Sequence, residues 1–203
     1  MALREDQILR YSRQILLREV GGRGQEKLLG GGVRLVATGP AGLTAAAYVA
    51  AGGTAVEAGA EPLSPGAEGF LVSAGEVGRP AAEVLGRVLP DVNADALPPR
   101  GTGRLAELPA EWDGEGPWVA LGGDGTRGVV VFRGTGGCAG CFAATTATLG
   151  APPIGALGVG LGALGALILQ RLLLGLGPAL GGCGWEAPGV MTDLKIRGCG
   201  RCG

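Results

Sequence analysis

Short, continuous apolar runs alternate along this chain with longer stretches whose apolar residues recur at helical spacing. The clearest example is VRLVA (Val33–Ala37), a buried-strand pattern. A glycine turn (Gly39–Gly42) and an alanine-rich stretch ending at Gly52 and Gly53 follow it. Strand, glycine turn and helix in that order open a doubly wound α/β domain, because glycine lets the backbone turn sharply and approach a phosphate at the helix N-terminus. The turn departs from a full G-x-G-x-x-G. Ala41 and Thr44 stand where glycines are expected, and Pro40 removes one backbone N–H.

Upstream, Ile8, Tyr11, Ile15 and Leu16 fall on one side of a helical region spanning Glu5–Leu29. Gly21–Gly24 are expected to break it, leaving Gln25–Leu29 as a short second helix. Downstream, the pattern predicts strands over Thr54–Ala58, Trp118–Leu121, Gly128–Phe132 and around Met191–Ile196, with a helix over Ala81–Leu89. The stretch Leu97–Gly116, rich in Pro and Gly and containing Trp112, reads as a loop or a worn-down element. Pro152–Leu169 is an apolar run of 18 residues, long enough for a transmembrane candidate. Its many glycines and prolines and the Gln170-Arg171 interruption favour a buried helix, which Gly158, Gly162 and Gly165 would let pack closely.

The 203 residues suit one α/β domain over 1–203: a helical arm (1–32), a core (33–150) and a C-terminal region (151–203). A net charge of -1 without a basic run gives no nucleic-acid footprint. The chain has no histidine, which removes Ser-His-Asp and Cys-His catalysis and the H-E-x-x-H zinc site together. The first residues carry Arg4, Glu5 and Asp6 rather than a secretory signal, so a cytoplasmic location with reduced thiols is expected. In that setting Cys138-x-x-Cys141 and Cys199-x-x-Cys202 read as two knuckles presenting four thiolates to one tetrahedral zinc. A thioredoxin-like redox pair is the weaker competing reading, because two knuckles are present and neither is expected to open a helix after a strand. Cys183, in a glycine-rich stretch, is expected in a turn, as a free surface or core thiol in preference to an acceptor thiol.

Arg10-Tyr11-Ser12-Arg13-Gln14, followed by Gly24-Gln25-x-Lys27-Leu28, the strand and the glycine turn, resembles the amino-terminal signature of the ThiF/MoeB/HesA family, bacterial relatives of ubiquitin-activating enzymes. The resemblance implies a Rossmann-like domain that binds ATP and magnesium and adenylates the C-terminal glycine of a ubiquitin-like sulfur-carrier protein. It also implies a homo- or heterodimer with a ThiF/MoeB-like chain, and no membrane partner. By resemblance, Arg13 matches an arginine reaching into the partner's nucleotide pocket, and Asp124 matches the second aspartate of a D-x-x-D-N motif. Gly39, Gly42, Glu57 and Arg79 fall at nucleotide-site positions, and the four cysteines match a structural zinc site.

Several family positions are altered. Pro65, Glu68 and Gly69 lie where Asn, Arg and Gln belong, and Ala81 replaces a nucleotide-contacting lysine. Glu68 in place of a phosphate-binding arginine would reverse the local charge. The helix expected between Trp118–Leu121 and Gly128–Phe132 is missing, and Asp124 also fits a plain turn residue. Two functions follow from the resemblance: a non-catalytic or weakly active partner subunit with an eroded ATP site, or an active ATP-dependent adenylyltransferase that uses the site in an atypical way.

Overall fold

The computed structural model describes residues 2–69, 71–96, 103–111, 116–186 and 190–202. Within them the chain forms β1 (Gly32–Val36), β2 (Ala55–Ala58), β3 (Gly103–Glu107), β4 (Trp118–Gly123), β5 (Gly128–Arg133), β6 (Leu180–Glu186) and β7 (Val190–Asp193). The helices are α1 (Glu5–Arg10), α2 (Ser12–Ile15), α3 (Gly21–Gly30), α4 (Pro40–Ala51), α5 (Ala81–Val92), α6 (Ala139–Thr146) and α7 (Gly155–Leu174).

The strands make one sheet in the order β2-β1-β3-β4-β5-β6-β7. The first four in that order are parallel, and the last three join antiparallel. A parallel pair needs a crossover connection, usually a helix, whereas an antiparallel pair needs only a tight turn. Between β4 and β5 lie only residues 124–127, so the missing helix of the sequence reading appears here as a hairpin.

Strand β3 corrects the expectation of a loop over Leu97–Gly116. It lies between β1 and β4, with Leu105 1% and Ala106 0% exposed. Its apolar signal is faint because two of its five residues are Gly103 and Ala106, and Gly103 abuts Leu169 and Leu173. Trp112 lies outside the described residues. Helix α3 begins at Gly21 rather than after Gly24, because Gly24 packs against Val20 and Leu174, and the breaks fall at Tyr11 and between Ile15 and Gly21 instead. Cys183 lies within β6, not in a turn. Helix α5 also runs past Pro90, which sits in its last turn.

Helix α7 lies against α4 and the sheet through one face, burying Leu161, Gly162, Gly165, Ala166 and Leu169. A side chain at Gly162 would collide with the Ala41 carbonyl, and one at Gly165 would meet Leu121 at 2.6 Å. The opposite face leaves Val159 and Leu167 about half exposed. Helix α7 is long and apolar enough to cross a membrane by length and composition, and a third of that window is buried in the domain. The buried helix expected from the sequence is therefore buried on one side.

A polar lock docks the arm. Tyr11 is 2% exposed; its hydroxyl accepts from Asn93 Nδ2 at 2.6 Å and donates to Asp95 Oδ2 at 3.2 Å. Asn93 Nδ2 also donates to the Ala50 carbonyl, and Gln25 Nε2 donates to the Gly52 carbonyl, so both side chains tie arm and core to the end of α4. Asn93→Ala would leave the buried Tyr11 hydroxyl without its donor and the Ala50 carbonyl with Gly53 N–H alone, at a cost of about 1–3 kcal/mol. The expected result is a lower urea midpoint together with faster proteolysis within residues 2–20.

Asp95 anchors the same lock by accepting from Arg4 and Gln7 at 2.8 and 3.1 Å. Burial opposes its ionisation, but the hydrogen bonds from Arg4, Gln7 and Tyr11 outweigh it and hold the carboxyl below its ordinary value. A depressed folded value means the stabilisation is present above the unfolded carboxylate range and lost as pH falls through the lower folded value. The protection of α1 amides relative to their intrinsic exchange rates should therefore fall below about pH 4, and in Asp95→Asn this pH dependence should be reduced.

Candidate functional site

The glycine turn after β1 leads into α4, and the first turn of a helix carries backbone N–H groups without intrahelical partners. Here they converge on one carboxylate. Glu107, the last residue of β3, accepts from Thr38 N–H at 3.2 Å and Gly39 N–H at 2.6 Å through Oε2, and from Gly42 N–H at 2.8 Å through Oε1. Both glycines are needed for this approach. A Cβ at Gly39 would lie 2.8 Å from Oε2, and one at Gly42 would collide with the Ala37 methyl group. The positive end of the helix dipole and three aimed donors make this an anion seat, and the anion in it belongs to the chain itself.

The seat borders a cavity of about 560 Å³ lined by residues including Thr38, Gly39, Pro40, Glu61, Pro65, Glu107 and Ile154. None of the described lining residues is lysine or arginine, and two are glutamates. Glu68, where the sequence puts a reversed charge, is exposed, accepts from Gly66 N–H and does not line the cavity, whereas Glu107 does. Ala81 is buried at the start of α5.

The structure brings Gly39 and Gly42 together at the seat and places the other sequence-selected residues away from it. Arg13 is exposed on α2. Glu57 is exposed on β2 and paired in register with Arg34, and Arg79 forms an ion pair with Glu83. Asp124 caps the β4–β5 turn, accepting from Thr126 and Arg127 N–H groups and pairing with the Arg127 guanidinium at 2.8 Å. The Arg127 hydrogen bond, opposed by burial and reinforced by the Thr126 donors, holds Asp124 well below the usual carboxylate range. Glu107 was missed in the sequence because it lies in the stretch that reads as a loop.

The second constellation is the cysteine cluster. The C-terminal segment runs back along α6, with Leu194 and Ile196 packed near Phe142 and Arg197 N–H donating to Thr145 Oγ1 at 2.9 Å. Cys199 and Cys202 thereby meet Cys138 and Cys141, and the four Sγ atoms lie within 4.8 Å of one another. Cys138 and Cys202 are 3.7 and 3.6 Å from Cys199. Thiolates around a tetrahedral zinc, at roughly 2.3 Å each, stand about 3.8 Å apart, so the donor set fits a metal ion. The expectation that neither cysteine pair opens a helix after a strand is corrected by the structure. Cys138 does open helix α6 after β5, and Cys141 N–H donates to its sulfur. The convergence of all four sulfurs, rather than the position of one pair, is what favours a metal. A hydrogen bond from the Cys202 thiol lowers Cys138 to about 6, so a thiolate is available there near neutrality. Cys183 sits apart on β6, and burial raises its thiol.

No protein-family model matches the chain. It is 52% identical over 52 residues to the mouse protein named adenylyltransferase and sulfurtransferase MOCS3, a match that covers 26% of this chain and 11% of that protein. Among solved structures it resembles E. coli MccB crystallised with ATP, with a TM-score of 0.67, 16% identity and coverage of 92% of this chain and 71% of that one. It also resembles PaaA, with a TM-score of 0.70, 14% identity and coverage of 96% and 84%. The chain has the ThiF/MoeB-type fold. The likeness extends over nearly all of the chain, and the short MOCS3 match adds a sequence relationship to it.

Proposed function

We propose that this ThiF/MoeB-like chain is a non-catalytic or weakly active partner subunit, whose glycine loop no longer serves ATP. The observation that carries this reading is the Glu107 carboxylate in the anion seat of α4, in a cavity with no cation among its described lining. A triphosphate entering there would meet two carboxylates and would have to break three hydrogen bonds before making any. On this reading the cysteines hold a structural zinc that pins the C-terminal segment to α6, and magnesium has no seat at Asp124, whose oxygens are engaged by Arg127 and Thr126. The exposed Arg13 on α2 is then available to neutralise phosphate charge in the pocket of an active ThiF/MoeB-like chain.

The second reading is an active adenylyltransferase acting on a carrier tail. It draws support from the open cavity beside the loop and from the ATP-bound MccB fold neighbour. ATP–pyrophosphate exchange separates the two. The chain alone should show no exchange above background with any glycine-tailed carrier, and Arg13→Ala should reduce exchange by an active partner chain mixed with it. Exchange by the chain alone would favour the second reading.

A further inference from the structure

We infer that the cysteine cluster is also a site of oxidative modification: a hydroperoxide joins Cys138 to Cys202 in a disulfide that displaces the metal and keeps the C-terminal segment fastened to α6. This rests on the metal reading of the four cysteines and is independent of the state of the glycine loop. Geometry selects the pair. Cys202 Sγ lies 2.9 Å from Cys138 Sγ, whereas Cys199 Sγ is 3.7 Å from Cys138 and 3.6 Å from Cys202. Of these three pairs, Cys138 and Cys202 need the smallest movement to reach the roughly 2.05 Å of a sulfur–sulfur bond.

Access to solvent favours the same pair. Cys202 is exposed, Cys138 and Cys199 are half-buried and Cys141 is buried, so an oxidant arriving from solvent meets Cys202 first. Cys199 is backed against the first turn of α6, where a Cβ on Gly140 would lie 2.9 Å from Cys199 Cβ and 3.0 Å from its Sγ. The Cys202 sulfur attacks one peroxide oxygen and the O–O bond breaks. Cys202 becomes a sulfenic acid, and the other oxygen leaves as water or, from an organic hydroperoxide, as the alcohol. The Cys138 sulfur then attacks the Cys202 sulfur, and the hydroxide it expels leaves as water. Two thiolates thus give two electrons to one peroxide, and solvent supplies two protons. Cys141 and Cys199 remain, too few to complete the four-coordinate shell of a structural zinc.

The choice of pair decides what becomes of the fold. A bridge between Cys199 and Cys202 would close a loop inside one knuckle and leave the C-terminal segment loose once the metal had gone. Cys138 and Cys202 are 64 residues apart, and their bridge joins the start of α6 to the segment beyond β7. It therefore ties the same two knuckles that a shared ion ties, and closing a long loop restricts the unfolded chain more than closing a short one. The oxidised chain should lose its metal and keep its fastening, and a dithiol with added zinc should restore the starting form.

The test treats the zinc-loaded chain with hydrogen peroxide beside a chromogenic chelator too weak to strip the reduced protein. One zinc should be released per disulfide formed, with the mass of two hydrogens lost from the chain. Peptide mapping should recover Cys138 joined to Cys202, with Cys141 and Cys199 free to be alkylated. The Tm of the oxidised, metal-free chain should stay within about 3 °C of the zinc-loaded form, whereas chelating the reduced chain lowers it by roughly 10 °C. Cys183→Ser, altered on β6 away from the cluster, should release zinc at an unchanged rate. A Cys199–Cys202 or Cys138–Cys141 bridge in place of the expected one, or zinc retained under peroxide, would overturn the inference and leave the metal reading standing. Reduced protein that binds no zinc would overturn both together.

Discussion

Cys199→Ser should release the metal and lower Tm by roughly 10 °C, and a chelator should lower the Tm of the unaltered protein by a similar amount while leaving the variant unchanged. The size of the effect follows from what the cluster ties down. Cys199 and Cys202 lie beyond β7 on a segment held to the domain by Leu194 and Ile196 packing and by the Arg197–Thr145 hydrogen bond. Without a shared ion, the remaining sulfurs are held by little more than the Cys202 thiol donating to Cys138 at 2.9 Å, which cannot replace a metal bridging both knuckles. The loss should concentrate in β6, β7 and α6, so their amides should exchange faster while β1 and α4 keep their protection. A Tm that responds to neither chelator nor Cys199→Ser would show that the cysteines hold no metal.

Gly162→Leu should be the most damaging single substitution in the helices, at about 3 kcal/mol or more. The first added carbon would already run into the Ala41 carbonyl oxygen, and the next atom of α4 it meets is Thr44 Cβ at 2.9 Å. Backbone cannot swing aside as a flexible side chain can, so α4 and α7 would have to separate. Because α4 carries the glycine loop, the Thr38, Gly39 and Gly42 donors would move with it. Urea unfolding gives the loss directly. Gly86→Ala on the exposed side of α5, where an added Cβ meets nothing within 4 Å, serves as a control and should be neutral or stabilising by about 0.5–1 kcal/mol.

Much of this arrangement was legible in the residues. The apolar run Val33–Ala37, the glycine turn and the alanine-rich helix announce β1, the loop and α4 because a buried parallel strand and a close-packed helix leave strong local signals. The four cysteines announce their own convergence by spacing and chemistry. The arm motif was legible as a pattern, and the structure supplies its physics: Tyr11 and Gln25 are buried polar groups answering particular carbonyls, side chains and Asn93, and Leu28 packs inward.

Strand β3 was illegible for a physical reason. A central strand made of Gly, Arg, Leu, Ala and Glu has too little hydrophobic signal to stand out between Pro- and Gly-rich neighbours, and only pairing with β1 and β4 makes it a strand. Glu107 was lost with it. The sequence puts a charge reversal at Glu68, which lies outside the cavity, and gives no sign of Glu107, because spacing along a chain does not reveal which carboxylate a distant strand will deliver to a helix end. Helix α7 was read correctly as a packed element, yet its half-exposed Val159 and Leu167 depend on what surrounds the domain, which no local pattern encodes.

Whether the glycine loop is already filled separates a partner subunit from an active adenylyltransferase. Isothermal titration of metal-loaded protein with ATP in the presence of magnesium measures that most directly. With Glu107 across the Thr38, Gly39 and Gly42 donors and no cation among the described lining residues, the expected result is no saturable heat up to millimolar ATP while the metal content stays constant. Micromolar ATP binding by the unaltered chain would contradict it, showing that Glu107 yields the seat to a nucleotide.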